Sequence, residues 1–210
     1  MSLQELNTSL HNCQRCKLAT MGRTQVVFGT GNPNASIMFV GEAPGSNEDQ
    51  KGEPFVGAAG KILDKLLESA GLSRSQVYIA NVIKCRPPNN RDPEPDEVET
   101  CKPFLLQQIA EIKPALVCTL GNWATQTILE KKVPITKVKG QAIQLDRFVV
   151  FPLLHPAAAL HQGNLLGTLK EDFNKLKAYL DRQQAPTPVP PSSPPSAILP
   201  PPSQMDLFGA

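Results

Sequence analysis

The sequence predicts an α/β protein of three layers, in which helices cover both faces of a central, mainly parallel sheet of four strands. Two observations lead to this prediction. Short apolar runs of strand length alternate with longer segments in which apolar residues recur at helical spacing. Strands that are joined through helices pair in parallel, and the connecting helices then pack on both faces of the sheet.

The helices are predicted from apolar periodicity and from the signals at their ends. Ser2 and Glu5 match a capping box, which opens a short first helix. Gly71 is suited to end the helix before it, and Pro95 is suited to the first turn of another. The predicted helices after the first cover residues 58–70, residues 95–112, a segment that begins near Asn122, and a last segment marked by Leu169, Phe173, Leu176 and Leu180.

The strands are predicted from short apolar runs. These runs cover residues 37–40, 77–80, 115–120 and 148–154, and the last is expected to pair with residues 142–145. Glu42, Asn81 and His155 lie at or just after the ends of three of these strands. Because ligands of open α/β sheets bind at the carboxyl edge of the strands, we expect these three side chains to face one pocket.

Composition and charge limit the possible functions. The formal net charge of +2 over 210 residues is too small to indicate nucleic-acid binding by itself. No apolar run approaches the length of a membrane span, and the N-terminus lacks the basic and apolar regions of a secretion signal. We expect a cytoplasmic monomer with no membrane partner.

The composition changes sharply near Gln183. Residues 185–202 contain nine prolines and no charged residue, which is typical of an extended tether rather than a packed core. We therefore expect a folded domain over residues 1–183, a disordered Pro-rich linker over residues 184–203, and a short C-terminal motif over residues 204–208.

The five cysteines indicate metal or redox chemistry, because a cytosolic chain rarely uses disulfides. Cys13 and Cys16 have the spacing of a metal-binding knuckle, whereas Cys85 and Cys101 lie far along the chain. Spacing does not distinguish zinc from an iron–sulfur cluster, and a chance knuckle with two buried cysteines is the alternative. Cys118 lies within an apolar strand and is expected to be a core residue.

The motifs of the chain resemble those of the family 4 uracil-DNA glycosylases. The resemblance is carried, in this order, by GEAPG at 41–45, GEPFVG at 52–57, NVIKCRPP at 81–88 and HPAAAL at 155–160. It extends over nearly all of residues 10–180. It implies a three-layer α/β/α fold and a [4Fe–4S] cluster held by Cys13, Cys16, Cys85 and Cys101. It also implies base-flipping hydrolysis of the N-glycosidic bond of deoxyuridine in DNA, which leaves free uracil and an abasic site.

Three side chains receive roles in this chemistry. Phe55 resembles the family's stacking residue and is expected to lie under the extruded base; core packing is its alternative. The carboxamide of Asn81 is expected to pair with uracil O4 and N3–H and so to reject cytosine; shaping a turn is its alternative. A neutral His155 is expected to donate to uracil O2 as negative charge forms on the leaving base; a structural histidine is its alternative.

The turn over residues 42–45 is expected to aim backbone amides at the base, with Ala43 and Gly45 among the uracil-binding residues. Glu42 is the first candidate for orienting the attacking water, and Glu48 is the second, as a catalytic or a supporting residue. Ala43 stands where the distantly related family 1 enzymes carry an aspartate. A solvated acidic turn is the alternative for Glu48 and Asp49.

Contacts to DNA are expected from Leu160, as a wedge in the vacated space, and from His161, Lys84 and Arg86. The family usually has an arginine where His161 stands. Loop residues such as Lys84 and Arg86 are alternatively only solvated. No lysine in the motifs is placed for a Schiff base, so we expect a monofunctional enzyme that leaves the DNA strand intact.

The C-terminal motif Gln204-Met205-Asp206-Leu207-Phe208 resembles the pentapeptide that binds the bacterial sliding clamp. Gln204 would fix the polar register, and Leu207 and Phe208 would fill an apolar pocket. We therefore expect the sliding clamp as a partner, with a chance terminal pentapeptide as the alternative. A tether of this kind raises the effective concentration of the enzyme at DNA.

Two other functions stay open. One is a uracil-DNA binding protein that traps the lesion covalently, although its relatives carry a basic, histidine-containing insertion that residues 86–97 lack. The other is a clamp-tethered iron–sulfur adaptor that binds DNA without cleaving a bond. Release of uracil, covalent trapping or neither distinguishes the three functions.

Overall fold

A six-stranded sheet forms the centre of the computed structural model, which describes residues 1–184. The linker from residue 185 onward and the expected clamp-binding motif over residues 204–208 lie outside the described residues. The strands are β1 (Thr30–Gly31), β2 (Ile37–Gly41), β3 (Tyr78–Asn81), β4 (Leu116–Leu120), β5 (Ile143–Gln144) and β6 (Val149–Leu153).

The strand order across the sheet is β1-β3-β2-β4-β6-β5. The four predicted strands β2, β3, β4 and β6 form the parallel centre. Two short antiparallel strands, β1 and β5, complete the edges of the sheet around the four predicted strands. β5 is the predicted hairpin partner of β6, whereas β1 was missed because Thr30–Gly31 contains no apolar run.

Eight α-helices are present in the described part of the chain. They are α1 (Leu3–Leu10), α2 (Ser46–Lys51), α3 (Ala58–Ser69), α4 (Pro95–Ile112), α5 (Asn122–Leu129), α6 (Ile135–Val138), α7 (Ala158–His161) and α8 (Leu165–Gln184). The capping box of α1 is confirmed, because the Glu5 amide donates to Ser2 Oγ at 3.2 Å and the Ser2 amide donates to Glu5 Oε2 at 2.8 Å. The helices that were not predicted are α2, α6 and α7, which are too short for apolar periodicity to show.

Alternate residues of β2 serve two separate cores, as expected for a parallel strand that is covered on both faces. Met38 and Val40 pack with residues of α4 and α5, whereas Phe39 packs with residues of α3 and α8. This arrangement confirms the three-layer α/β/α fold. Cys118 of β4 is fully buried in the second core, as predicted.

None of the helices within residues 1–184 is long and apolar enough to cross a membrane.

Candidate active site

The carboxyl ends of the central strands open into one cavity of about 520 Å³. β2 ends at Gly41, β3 ends at Asn81, and β6 ends at Leu153, shortly before His155. All the residues expected to bind uracil line this cavity: Glu42, Ala43, Gly45, Phe55, Asn81 and His155. Residues that are far apart in sequence are thus brought together by the parallel sheet.

Asn81 lines this cavity and carries an unsatisfied buried acceptor. The residue is only 2 % exposed, and its Oδ1 has no hydrogen-bond partner among the described residues. A buried acceptor without a partner costs about 1–3 kcal/mol, which a donor on a bound ligand recovers. The side chain lies directly against Gly41, where a Cβ atom would overlap Asn81 Oδ1 and lie 2.6 Å from Phe55 Cζ.

Phe55 places a flat apolar surface in the cavity. Its backbone is in the left-handed region, with φ of +54°, which is uncommon for a bulky residue. The residue is 6 % exposed, and the centroid of its ring lies 5.5 Å from that of the His155 ring, at an interplanar angle of 32°. Gly60 of α3 is needed beside it, because a Cβ there would overlap the Phe55 carbonyl.

His155 is held as a neutral imidazole with a defined tautomer. Its Nδ1 accepts a hydrogen bond from the Ala157 amide at 3.1 Å, which leaves the proton on Nε2. Burial lowers the pKa of His155 to about 4, although the nearby Glu48 carboxylate acts in the opposite direction. The Nε2–H is therefore a neutral donor at physiological pH.

The pKa of Glu42 lies near neutral pH, where a general base is most effective. Burial raises the pKa of its carboxyl to about 7, and the negative charge of Asp92 contributes to the same shift. The backbone of Glu42 is fixed, because its carbonyl accepts from the Ile83 amide at 3.1 Å. Asp92 also lines the cavity, and sequence reasoning missed it because it lies in an irregular proline-rich segment without periodicity.

Glu48 organises the loops around the cavity rather than facing water. Its Oε1 accepts from the amides of Val56 at 2.9 Å and Gly57 at 2.8 Å, and its Oε2 accepts from the Gly45 amide at 3.1 Å. The Gly45 amide is therefore directed to Glu48, although Gly45 lines the cavity.

Asp49 is 2 % exposed, and both its carboxylate oxygens lie 2.9 Å from the amide of Thr24. The alternative of a solvated acidic turn at Glu48 and Asp49 is wrong, because the two residues belong to α2 and their carboxylates satisfy backbone donors.

The four residues expected to contact DNA differ in how far they are exposed to solvent. Leu160 and His161, on α7, are exposed at the rim of the cavity. Arg86 is partly exposed, and its Nε donates to Asn90 Oδ1 at 2.7 Å. The structure contradicts the expected phosphate contact of Lys84, which is 1 % exposed.

The Lys84 ammonium is satisfied inside the protein instead. It donates to the Asn81 carbonyl at 2.8 Å and to Gln108 Oε1 at 2.5 Å. Residues 82–85 follow the end of β3 and are buried. The apolar pattern of the sequence placed the end of the strand near residue 80, so it did not indicate that Lys84 is buried.

The thiols of Cys13, Cys16 and Cys85 lie near the thiol of Cys101, which is part of α4, closely enough to influence one another electrostatically. Burial raises the pKa of the Cys101 thiol, and the neighbouring Cys16 and Cys13 thiols contribute to this increase. Two donors point at sulfur atoms: Arg23 Nη1 lies 2.8 Å from Cys85 Sγ, and the Lys84 amide lies 3.3 Å from Cys101 Sγ. Such hydrogen bonds stabilise cluster thiolates, so the donor set fits an iron–sulfur group.

No three His, Cys, Asp or Glu side chains within residues 1–184 group closely enough to hold one metal ion.

Comparison with known proteins agrees with this geometry. The model of the uracil DNA glycosylase superfamily matches residues 28–181. The type-4 uracil-DNA glycosylase of Sulfurisphaera tokodaii is 49 % identical over 84 % of this chain and 84 % of its own length. The type-4 enzymes of Archaeoglobus fulgidus and Thermotoga maritima are 44 % and 42 % identical, over 87 % and 86 % of this chain and 96 % of each relative. The chain therefore belongs to the uracil-DNA glycosylase superfamily, among its type-4 members.

Proposed function

We propose that this protein is a cytoplasmic, monofunctional uracil-DNA glycosylase of base excision repair. It hydrolyses the N-glycosidic bond of a deoxyuridine that has been extruded from DNA, and it leaves free uracil and an abasic site. The observation that carries the proposal is the unsatisfied Asn81 Oδ1 in a cavity that also holds the Phe55 ring and the neutral His155 donor.

Recognition of uracil follows from the carboxamide of Asn81. Its Oδ1 accepts from uracil N3–H, and its amino group donates to O4. Cytosine presents the reverse pattern of donor and acceptor, so its entry leaves buried groups unpaired. A site built on such hydrogen bonds rejects the wrong base strongly.

Cleavage of the C–N bond leaves negative charge on the base and positive character on the sugar. The Nε2–H of His155 donates to uracil O2 and stabilises the negative charge as it forms. Glu42, with its pKa near 7, orients the attacking water and favours the cationic sugar. Glu48 supports both by holding the loops on either side of the cavity.

Hydrolysis without strand cleavage is supported by the lining of the cavity, which includes no lysine among the described residues. The test incubates the protein with a DNA strand that contains one uracil. We expect free uracil and an alkali-sensitive abasic site, without an adduct that borohydride traps. Covalent capture of intact uracil-DNA would favour the trapping protein, and binding without release would favour the adaptor.

The proposed cofactor is a [4Fe–4S] cluster held by Cys13, Cys16, Cys85 and Cys101. When bound, it supplies iron–thiolate bonds that join the N-terminal knuckle to the segment between Cys85 and Cys101. Arg23 assists by donating both to Cys85 Sγ and, at 2.5 Å, to the Cys13 carbonyl, which links the two parts of the chain.

The proposed partner is the bacterial sliding clamp, bound through Gln204, Leu207 and Phe208. The support comes from the sequence of the motif, which follows the proline-rich residues 185–202. A Leu207→Ala/Phe208→Ala variant is expected to lose clamp binding in a pull-down with the purified clamp. Unchanged binding would exclude this partner site.

A further inference from the structure

We infer that Arg74 is a positioning residue for the stacking ring of Phe55, and that it acts through the Phe55 backbone without touching base or DNA. The inference rests on the proposed function, since it concerns the geometry of the same uracil site. It assigns a role to a residue between α3 and β3 that belongs to none of the motifs considered above.

The guanidinium of Arg74 is committed on all three nitrogens. Nη2 donates to the Phe55 carbonyl, and Nη1 donates to the Pro54 carbonyl at 3.2 Å. Nε donates to Asp64 Oδ1 on α3 at 2.5 Å. The planar fork of an arginine suits this task, because it holds two consecutive carbonyls while its third nitrogen is anchored elsewhere.

The Phe55 backbone needs such support. A non-glycine residue with φ of +54° is held in an unfavourable conformation by its surroundings. Arg74 fixes the carbonyl of Phe55, and Glu48 fixes the amides of the next two residues, Val56 and Gly57. Two charged side chains thus determine the position of the stacking ring from both sides of the turn.

Arg74 does not take part in the reaction itself. It does not belong to the lining of the cavity, and its side chain is 31 % exposed. Loss of Arg74 therefore leaves the surfaces that contact DNA unchanged and releases the ring that the extruded base stacks upon. We therefore expect the loss of Arg74 to lower the rate of bond cleavage and to leave the affinity for undamaged DNA unchanged.

The test is a double-mutant cycle between Arg74→Ala and Phe55→Ala in the full chain. Single-turnover rates of uracil release are measured at saturating protein, together with the Kd for an undamaged duplex. In the wild-type background, Arg74→Ala should lower the rate about 10- to 30-fold, since small displacements of positioning groups reach about 100-fold. In the Phe55→Ala background the same change should cost no more than about 2-fold, because the ring that it positions is absent.

Two further variants separate positioning from general stability. Arg74→Lys keeps the charge but cannot bond two carbonyls and Asp64 together, so it should recover only part of the rate. It also serves as the test if Arg74→Ala fails to fold. Lys177→Ala removes the exposed ion pair with Asp181 on α8, at 3.7 Å, and should leave rate and affinity unchanged.

An equal loss of rate in both Phe55 backgrounds would overturn the inference, because a purely structural role acts independently of the ring. A rate within about 2-fold of the wild type for both Arg74 variants would do the same. If the wild-type protein releases no uracil, the proposed function fails first. Release by the wild type with an additive cycle rejects only the role of Arg74.

Discussion

The rings of His155 and Phe55 lie 5.5 Å apart between centroids and are inclined by 32°. A base stacked between two rings needs about 7 Å, which is two contacts of about 3.5 Å each. Uracil therefore does not enter between them. The stacking proposed for Phe55 and the hydrogen bond proposed for His155 therefore require the base to lie beside this pair of rings and not between them.

Replacement of Gly41 by alanine is expected to disrupt the site from within. A Cβ at position 41 would overlap Asn81 Oδ1 and lie 2.6 Å from the Phe55 ring, so both side chains must move. We expect uracil release to fall by about 100-fold, since displaced binding groups carry costs of this size. Overpacking should also lower the free energy of unfolding by about 1–3 kcal/mol, as measured by urea denaturation.

Gly167→Ala is the matched control for that experiment. Gly167 lies in α8, and a Cβ there meets no atom within 4 Å. The exchange should leave uracil release unchanged and stabilise the protein by up to about 1 kcal/mol through helix propensity. Equal activity of the two alanine variants would show that close packing at Gly41 does not matter.

Asn81→Asp is expected to change the preference among bases. The carboxylate still accepts from uracil N3–H, but it lacks the donor for O4, so uracil release should fall by about 100-fold. When protonated, the same group can donate to cytosine N3 and accept from the cytosine amino group. The ratio of cytosine to uracil release from matched oligonucleotides should therefore rise.

Asn81→Ala serves as the control, because it removes donor and acceptor together. It should reduce release of uracil without raising the absolute rate of cytosine release, since no group at position 81 then pairs with either base. An unchanged ratio in Asn81→Asp would mean that discrimination arises from the shape of the cavity rather than from this carboxamide.

The sequence predicted the centre of the fold and the cavity better than the details around them. Buried parallel strands are apolar on both faces, and polar residues must follow where such strands end, so Glu42, Asn81 and His155 were recognisable. The edge strand β1 and the short helix α2 depend on hydrogen bonds to neighbouring segments, which leave no periodic signal. The buried carboxylate of Asp49, which receives the Thr24 amide, is an example.

Lys84 shows why charge in a sequence is a poor guide to a DNA contact. Lys84 was expected to contact a phosphate as a basic residue of the loop that also contains Arg86, yet its side chain is buried. Only the tertiary structure supplies the Asn81 carbonyl and Gln108 Oε1 that satisfy its ammonium. Arg74 was missed for a related reason, because its partners become neighbours only after folding.

Glu42 is expected to determine how the rate depends on pH near neutrality. Its pKa is raised to about 7, mainly by burial, so the ionised form, which we propose orients the attacking water, accumulates as the pH rises through 7. Single-turnover rates should therefore increase from pH 6 to pH 8. Glu42→Gln should abolish this increase and lower the rate by about 100-fold.

Asp92→Asn provides a finer test of the same group. Asp92 contributes to the raised pKa of Glu42 through its negative charge, so its removal should move the rate increase to lower pH. Burial remains, and the midpoint should therefore stay above the ordinary carboxyl value of 4.5. A profile that does not respond to either substitution would assign the titration to another group.

Removal of the proposed cluster is expected to loosen the chain around α4. The proposed ligands would join the N-terminal segment to α4 in addition to the contacts of Arg23 and the ion pairs of Lys17 with Glu94 and Asp96. The protein without iron should therefore melt at lower temperature and bind DNA more weakly. Cys101→Ala should lose iron, visible absorption and thermal stability together. Cys118→Ala, in the core of β4, should lose stability but keep its iron. Full stability and activity without iron would contradict the structural role.

His155 should make the folded state sensitive to acid. Its pKa is lowered from 6.5 to about 4 in the folded protein, so the unfolded chain binds the proton more tightly between these values. Stability is therefore lost as the pH falls from 6.5 towards 4, by about 3 kcal/mol at most. In His155→Gln this part of the pH dependence should disappear, as followed by urea denaturation at several pH values. The same variant should lose about 100- to 1000-fold in uracil release at pH 7, because it removes the imidazole that we propose as the donor to the leaving base. If the slope of stability against pH is the same in both proteins, His155 is not buried as a neutral imidazole, and its assignment as a neutral donor is wrong.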